Sequence, residues 1–460
     1  MSKTKKFFIN GFILTITAII MKSISMLFNL YVSNQIGSEA VGIFSLVMSV
    51  YFFAITVATS GLSLACTYLV SEQFAIKNFL DGFKAVKTCI LFSILLGISS
   101  SFLIILFSPI ISQNWLKGLI SPLPLYLIAI GLPFISISSV INGYFSAVRK
   151  AYKNALVQSF ELIVKIFTSF FLLHFYFSKD IESVCICLIL ADIISEICSC
   201  FLITILYQKD KTFYLKRNIS TITFKKRILQ ITFPVSITSY IRSGLSTLKQ
   251  FIIPSQLVLF GYSYSMALSE YGKINGMTMA VLLFPNVLIT SFSNLLIPEF
   301  TSLLVKQYKK RILTICRKVF LTTSLFSIAI SLIFFFFSNE ISLMIFKNLE
   351  CSKYIKILSP LILFIYPDSI LDSMLKGLNK QFEVMICNIL DLLLMVSVLY
   401  FLLPILGLTG YILCIIISEI FNFSISYYQL HKATGFKMSL TMTFCYLFFM
   451  LMGIYFVTKM

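Results

Sequence analysis

The sequence predicts an all-α polytopic membrane protein of about 13 transmembrane helices, built as two parallel six-helix lobes with one helix beyond them. Three observations predict it: the composition, a succession of apolar windows, and an internal duplication. Of the 460 residues, 58% are hydrophobic and 12% charged, where a soluble domain carries about 25% charge. Forty-seven Phe residues against one Trp and 18 acids exceed what water-soluble cores can hide. A net charge of +19 would suggest nucleic acid in a soluble chain. In lipid, the placement of the basic residues matters more than their sum.

Crossing a bilayer takes about 20 apolar residues. Windows of that kind fall at 7–31, 42–70, 88–111, 122–147, 155–177 and 183–207, then at 229–257, 274–304, 319–338, 355–375, 382–406, 408–430 and 439–457. Each is continuously apolar and not alternating, so each reads as a helix that satisfies its own backbone. The first is too long, and lacks an A-x-A site, to read as a cleaved signal peptide. With the N-terminus in the cytoplasm, 26 of the 37 Lys and Arg residues fall in cytoplasmic loops and 5 outside. That bias sets the orientation and predicts a multi-pass protein of the cell membrane.

The duplication is read from three matches. IISEI occurs at 193–197 and again at 416–420; Gln158 and Glu161 are matched by Asn388 and Asp391; Gly42 is matched by Gly276. The displacements run from 223 to 234 residues, so loops differ between copies. The expected organisation is an N-terminal six-helix lobe over 1–207, a basic cytoplasmic linker over 208–228, a second lobe over 229–430, and an extra helix within 431–460. An even number of helices per copy gives both lobes one orientation, related by a pseudo-two-fold axis along the membrane normal, with a substrate cavity between them. Duplication of this kind is commoner in transporters than in enzymes, and no nucleotide-binding, zinc-protease or nucleophile-elbow motif occurs.

Charges inside apolar windows cost about 2.5–3.5 kcal/mol each on insertion scales, so they tend to face a cavity or a partner. Lys22 lies deep in the first window, with Asn29 seven residues on along the same face. In the seventh, Arg242, Ser246 and Lys249 form one stripe at i, i+4 and i+7. Two cations there, with no acid between them, either share an anion or find acids elsewhere. Lys22, Asn29, Arg242, Ser246, Lys249 and Lys273 are therefore the expected cationic, substrate-binding set, with Lys22 and the Arg242/Lys249 pair meeting across the central cavity. Glu161, Lys165, Asp368, Asp372 and Asp391 are candidates for coupling or gating. Glu161 and Lys165, four apart, can also neutralise each other. Glu196 and Glu419 read as braces within their lobes. Pro234, Pro254, Pro285 and Pro298 predict bends in the seventh and eighth helices. Cys185/Cys187 and Cys198/Cys200 resemble metal pairs, but residues two apart on a helix face different ways, and no metal site is expected.

Residues 22–72, 143–165, 271–300 and 375–391 resemble, in order, the stage V sporulation protein B and polysaccharide biosynthesis (oligosaccharide flippase) family. That family belongs to the multidrug/oligosaccharidyl-lipid/polysaccharide exporter superfamily and is related to the lipid II flippases. The resemblance implies a MATE-like fold and a cationic cavity for the pyrophosphate of an undecaprenyl-linked sugar. Lys22 and Lys165 match basic positions of the flippases, while Asn29 stands near a second basic position that this chain lacks. The implied activity is non-enzymatic movement of a lipid-linked oligosaccharide, a peptidoglycan precursor of sporulation-type wall synthesis, between leaflets by alternating access. It implies a monomer, no cofactor, no nucleic acid, membrane lipids as surroundings, and a coupling cation or the membrane potential as drive. The alternatives are a cation-coupled multidrug exporter of the same fold, disfavoured by a first helix without an acid, and a non-transporting membrane scaffold. A membrane glycosyltransferase would want a larger outer loop with clustered acids.

Overall fold

A computed structural model describes residues 3–176, 181–214 and 224–438. The thirteenth window, 439–457, and residues 215–223 of the linker lie outside the described residues. Among the described residues every regular element is a helix, and nine runs are long and apolar enough to cross a membrane. The chain is an all-α multi-pass membrane protein.

The helices follow the expected windows and overrun them at polar ends. α1 (Lys3–Thr59) covers the first window and most of the second, and it breaks at Gly37, whose φ of 79° and ψ of 166° leave the helical region. α2 (Leu62–Ala75) begins after Gly61, also at positive φ. A left-handed φ of this kind is open to glycine at little cost. α3 (Phe79–Ile110) starts nine residues before its window because the Asn78 side chain caps it, accepting from the Asp81 N–H at 3.4 Å. α4 (Leu123–Ala147), α5 (Ala151–Tyr176), α6 (Ile181–Tyr214) and α7 (Lys225–Phe260) follow. Pro234 and Pro254 do not interrupt α7.

The eighth window is where the structure departs most from expectation. It opens earlier, at α8 (Tyr264–Tyr271), capped by Ser263, which accepts from Met266 N–H at 3.2 Å. It then passes through a π-helical stretch (Gly272–Thr278) into α9 (Met279–Leu283), turns at Pro285, and resumes as α10 (Asn286–Val305). The polar residues of 263–275 dilute the hydropathy, which hides the start from a window. α11 (Lys309–Phe336), the unforeseen short α12 (Ser338–Phe346), α13 (Ser352–Leu358), α14 (Ile362–Gly377) and α15 (Gln381–Thr434) complete the chain. α15 breaks at Gly407 (φ 55°), where a Cβ would stand 2.6 Å from the Phe260 ring.

The chain divides into two compact units. The first holds 46–247 with the N-terminal stretch to Thr17; the second holds 18–45 with 248–460. Each unit thus takes part of α1 and part of α7 in addition to its own helices. In the first unit, Thr67 of α2 donates to the Gly143 carbonyl of α4 at 3.0 Å, and a Cβ on Gly143 would lie 2.4 Å from the Ser63 carbonyl oxygen. In the second unit, Thr301 of α10 donates to the Gly377 carbonyl of α14 at 3.0 Å, and a Cβ on Gly377 would lie 2.9 Å from the Ile297 carbonyl oxygen. The same close helix crossing recurs 234 residues on, the displacement that separates Gly42 from Gly276. Small residues at such crossings let backbones approach where lipid supplies no hydrophobic drive.

Candidate functional site

Within the first unit, polar stripes of four helices meet. On α5, Asn154, Gln158 and Glu161 recur at i, i+4 and i+7, which puts them on one face. With Asn142 of α4 and Glu196 and Ser199 of α6 they line a cavity of about 420 Å³. Tyr51 of α1 donates its hydroxyl to Oε1 of Glu196. Gly131 of α4 makes room for this carboxylate, since a Cβ there would sit 3.1 Å from Oε2. Lys165 forms its ion pair with Asp192 of α6. The self-neutralising Glu161–Lys165 pair is therefore not what forms. An i, i+4 pair on a helix surface is worth only about 0.2–0.5 kcal/mol, and a more enclosed acid on the next helix is the stronger partner. Asp192, an acid inside the sixth window, was passed over in the sequence because its partner Lys165 lies on another helix.

The second unit carries the matched acids in a different setting. Asp391, on the first arm of α15, accepts from the Ser418 hydroxyl on the second arm at 2.5 Å. Lys249 of α7 faces this pair of arms, with its charge interacting with Glu419 and Asp391. Two acids of α15 thus lie within electrostatic reach of Lys249. Asp368 of α14 accepts from Asn422 at 2.9 Å, and Asp372 lies 3.5 Å from Lys376 one turn on. Lys273 bridges Glu270 at 3.1 Å and Glu350 at 2.9 Å, and Tyr354 donates to the other oxygen of Glu270. Its charge is spent locally in tying the segment after α12 to α8.

Lys22 and Asn29, seven apart on α1, are both exposed. Arg242 is exposed and Ser246 half-buried on α7. These four residues are presented on apolar helices without an ion pair among the described residues.

Apolar spans, enclosed charged groups within both units and a repeated helix crossing define the class: a multi-pass α-helical membrane protein. A solved MATE family multidrug resistance transporter of the MOP superfamily, in an inward-facing conformation, matches with a TM-score of 0.68 at 13% identity, over 92% of this chain and 98% of that one. An outward-facing structure titled in the same terms gives a TM-score of 0.64 at 14% identity, over 93% and 96%. The sequence model described as Polysaccharide biosynthesis protein matches residues 8–304; the chain belongs to that family. Among curated proteins, Stage V sporulation protein B of Bacillus subtilis (strain 168) is 22% identical over 421 residues, covering 90% of this chain and 81% of that protein. Sporulation protein YkvU of the same strain is 20% identical over 404 residues, covering 85% and 87%. The chain is thus a member of the polysaccharide biosynthesis protein family with a MATE-like fold.

Proposed function

We propose that the protein moves an undecaprenyl-pyrophosphate-linked oligosaccharide from the cytoplasmic to the outer leaflet by alternating access, and that its cargo is a peptidoglycan precursor of sporulation-type wall synthesis. The observation that carries this reading is the pair of basic faces on apolar helices, Lys22 with Asn29 and Arg242 with Ser246, that form no ion pair among the described residues. A diphosphate brings charge that lipid rejects, and charge-assisted hydrogen bonds from Lys and Arg are the strong way to hold it. Lys249 interacts electrostatically with Glu419 and Asp391 and Lys273 is paired twice, so in this reading they serve the scaffold of the site. In this reading the N-terminus lies in the cytoplasm. The protein works as a monomer, holds no cofactor, and draws on a cation gradient or the membrane potential.

A cation-coupled multidrug exporter of the same fold is the second reading. The paired acids Glu161/Glu196 and Asp391/Glu419 favour it; the first apolar helix, with Lys22 and no acid, opposes it. Lipid extracted from the purified protein separates the two. Mass spectrometry should recover a prenyl diphosphate carrying sugar, absent from the Lys22→Ala/Arg242→Ala double variant; only bulk phospholipid in both preparations would overturn the proposal.

A further inference from the structure

The turn between α10 and α11 gathers cations. Lys306, Lys309, Lys310, Arg311, Arg317 and Lys318 fall within thirteen residues, and all six are exposed. Among the described residues only Arg311 of this set forms an ion pair, with Glu299 of α10 at 3.8 Å. Charge that only sets orientation can stay in a loop. Arg317 and Lys318 instead lie two turns inside α11, about 12 Å from its start.

The cationic face continues into an apolar one. Lys310, Thr314, Arg317, Leu321 and Leu325 follow at spacings of four, three, four and four residues, which keeps them on one side of the helix. Leu321 and Leu325 are exposed, as are Leu332 and Phe336 further along. From Leu321 to Phe336 the helix runs for about 22 Å, more than half of a ~30 Å hydrocarbon core. The turn itself presents Val305, 79% exposed, and Tyr308 beside its cations. Water penalises such exposure, whereas the boundary between headgroups and acyl chains accepts both kinds of side chain.

We propose that this face of α11 binds an anionic glycerophospholipid, with its phosphate held by Arg317 and Lys318, Lys310 reaching in from the turn, and an acyl chain laid along Leu321 and Leu325. Guanidinium and ammonium groups make charge-assisted hydrogen bonds to phosphate, and a zwitterionic headgroup, which brings its own cation, gains less from them. An acidic protein or a nucleic acid would satisfy the cations and leave the apolar continuation of the face unused. The corresponding end of α3 is sparser, with Lys77 and Lys87 exposed and Lys84 half-buried, so the site belongs to the second unit. It uses none of the residues assigned to cargo and does not rest on the flippase reading.

Native mass spectrometry of the purified full-length protein tests it, with phosphatidylglycerol, phosphatidylcholine of the same acyl chains and undecaprenyl phosphate added in separate arms. Phosphatidylglycerol should be retained on the order of tenfold more than phosphatidylcholine. Arg317→Gln/Lys318→Gln should remove most of that preference, and Arg317→Lys/Lys318→Arg, which keeps the charge, should preserve it. Lys77→Gln/Lys87→Gln removes the same charge from the first unit and should leave the preference unchanged. If the double glutamine variant folds poorly, Arg317→Gln and Lys318→Gln alone should each lose part of it. Equal retention of the two phospholipids, or an equal loss in the Lys77/Lys87 variant, overturns the proposal. So does retention through Arg317 and Lys318 of undecaprenyl phosphate alone, which would assign the face to the cargo.

Discussion

Lys165 pairs with Asp192 on the neighbouring helix and not with Glu161 one turn earlier on its own. The choice frees Glu161 to line the cavity of the first unit with Glu196. In the second unit the matched acids Asp391 and Glu419 are served by Lys249, a lysine from α7.

Removing one partner of an enclosed ion pair leaves the other charge uncompensated, at a cost of about 3–5 kcal/mol when burial is deep. Lys165 is 29% exposed and Asp192 9%, so Lys165→Ala should fall at or below the low end. Thermal unfolding should show a lower midpoint for Lys165→Ala and recovery in Lys165→Ala/Asp192→Asn. An unchanged single variant would show that the pair contributes nothing.

The same logic applies to Lys249. Lys249→Ala should reduce the amount of protein in the membrane, and adding Glu419→Gln should restore it, since the second change removes a charge left without its cation. If abundance is normal but transport is lost, Lys249 acts on cargo and not on α15.

Gly143→Val and Gly377→Val should be damaging in parallel. Each forces a side chain into a crossing where even a Cβ would stand within 3 Å of a backbone oxygen, and overpacking of this kind costs about 1–3 kcal/mol or more. Unfolding midpoints of the two variants should drop together. One tolerant site would mean that the two crossings are not equivalent.

How much of this could be read in advance follows from what lipid permits. A helix that spans hydrocarbon must satisfy its own backbone, so every described window became helix. Boundaries were missed where caps decide them, at Asn78 and Ser263, and α12 was missed because nine residues are too few for a hydropathy window. Gln158 and Glu161, singled out in the sequence for their repeat, do share a cavity face, together with Asn154, which the sequence reading passed over. Partners were not legible: Asp192 for Lys165 and Glu419 and Asp391 for Lys249 come from other helices, Glu350 for Lys273 comes from the turn after α12, and no spacing rule reaches across a tertiary contact.

Orientation rests on the charge bias of the loops. Single cysteines placed at Lys209 and at Lys310, in a background without native cysteines, should resist impermeant thiol reagents in intact cells and react once the membrane is opened. Labelling of either in intact cells would invert the topology.

The central claim is that positive charge on α1 and α7 holds the headgroup phosphate. Complementation of a flippase-depleted strain, scored with membrane abundance, tests it most directly. Lys22→Ala and Arg242→Ala should fail to complement at normal abundance, while Lys22→Arg, which keeps the charge, should retain part of the activity. Full complementation by both alanine variants at normal abundance would contradict the account.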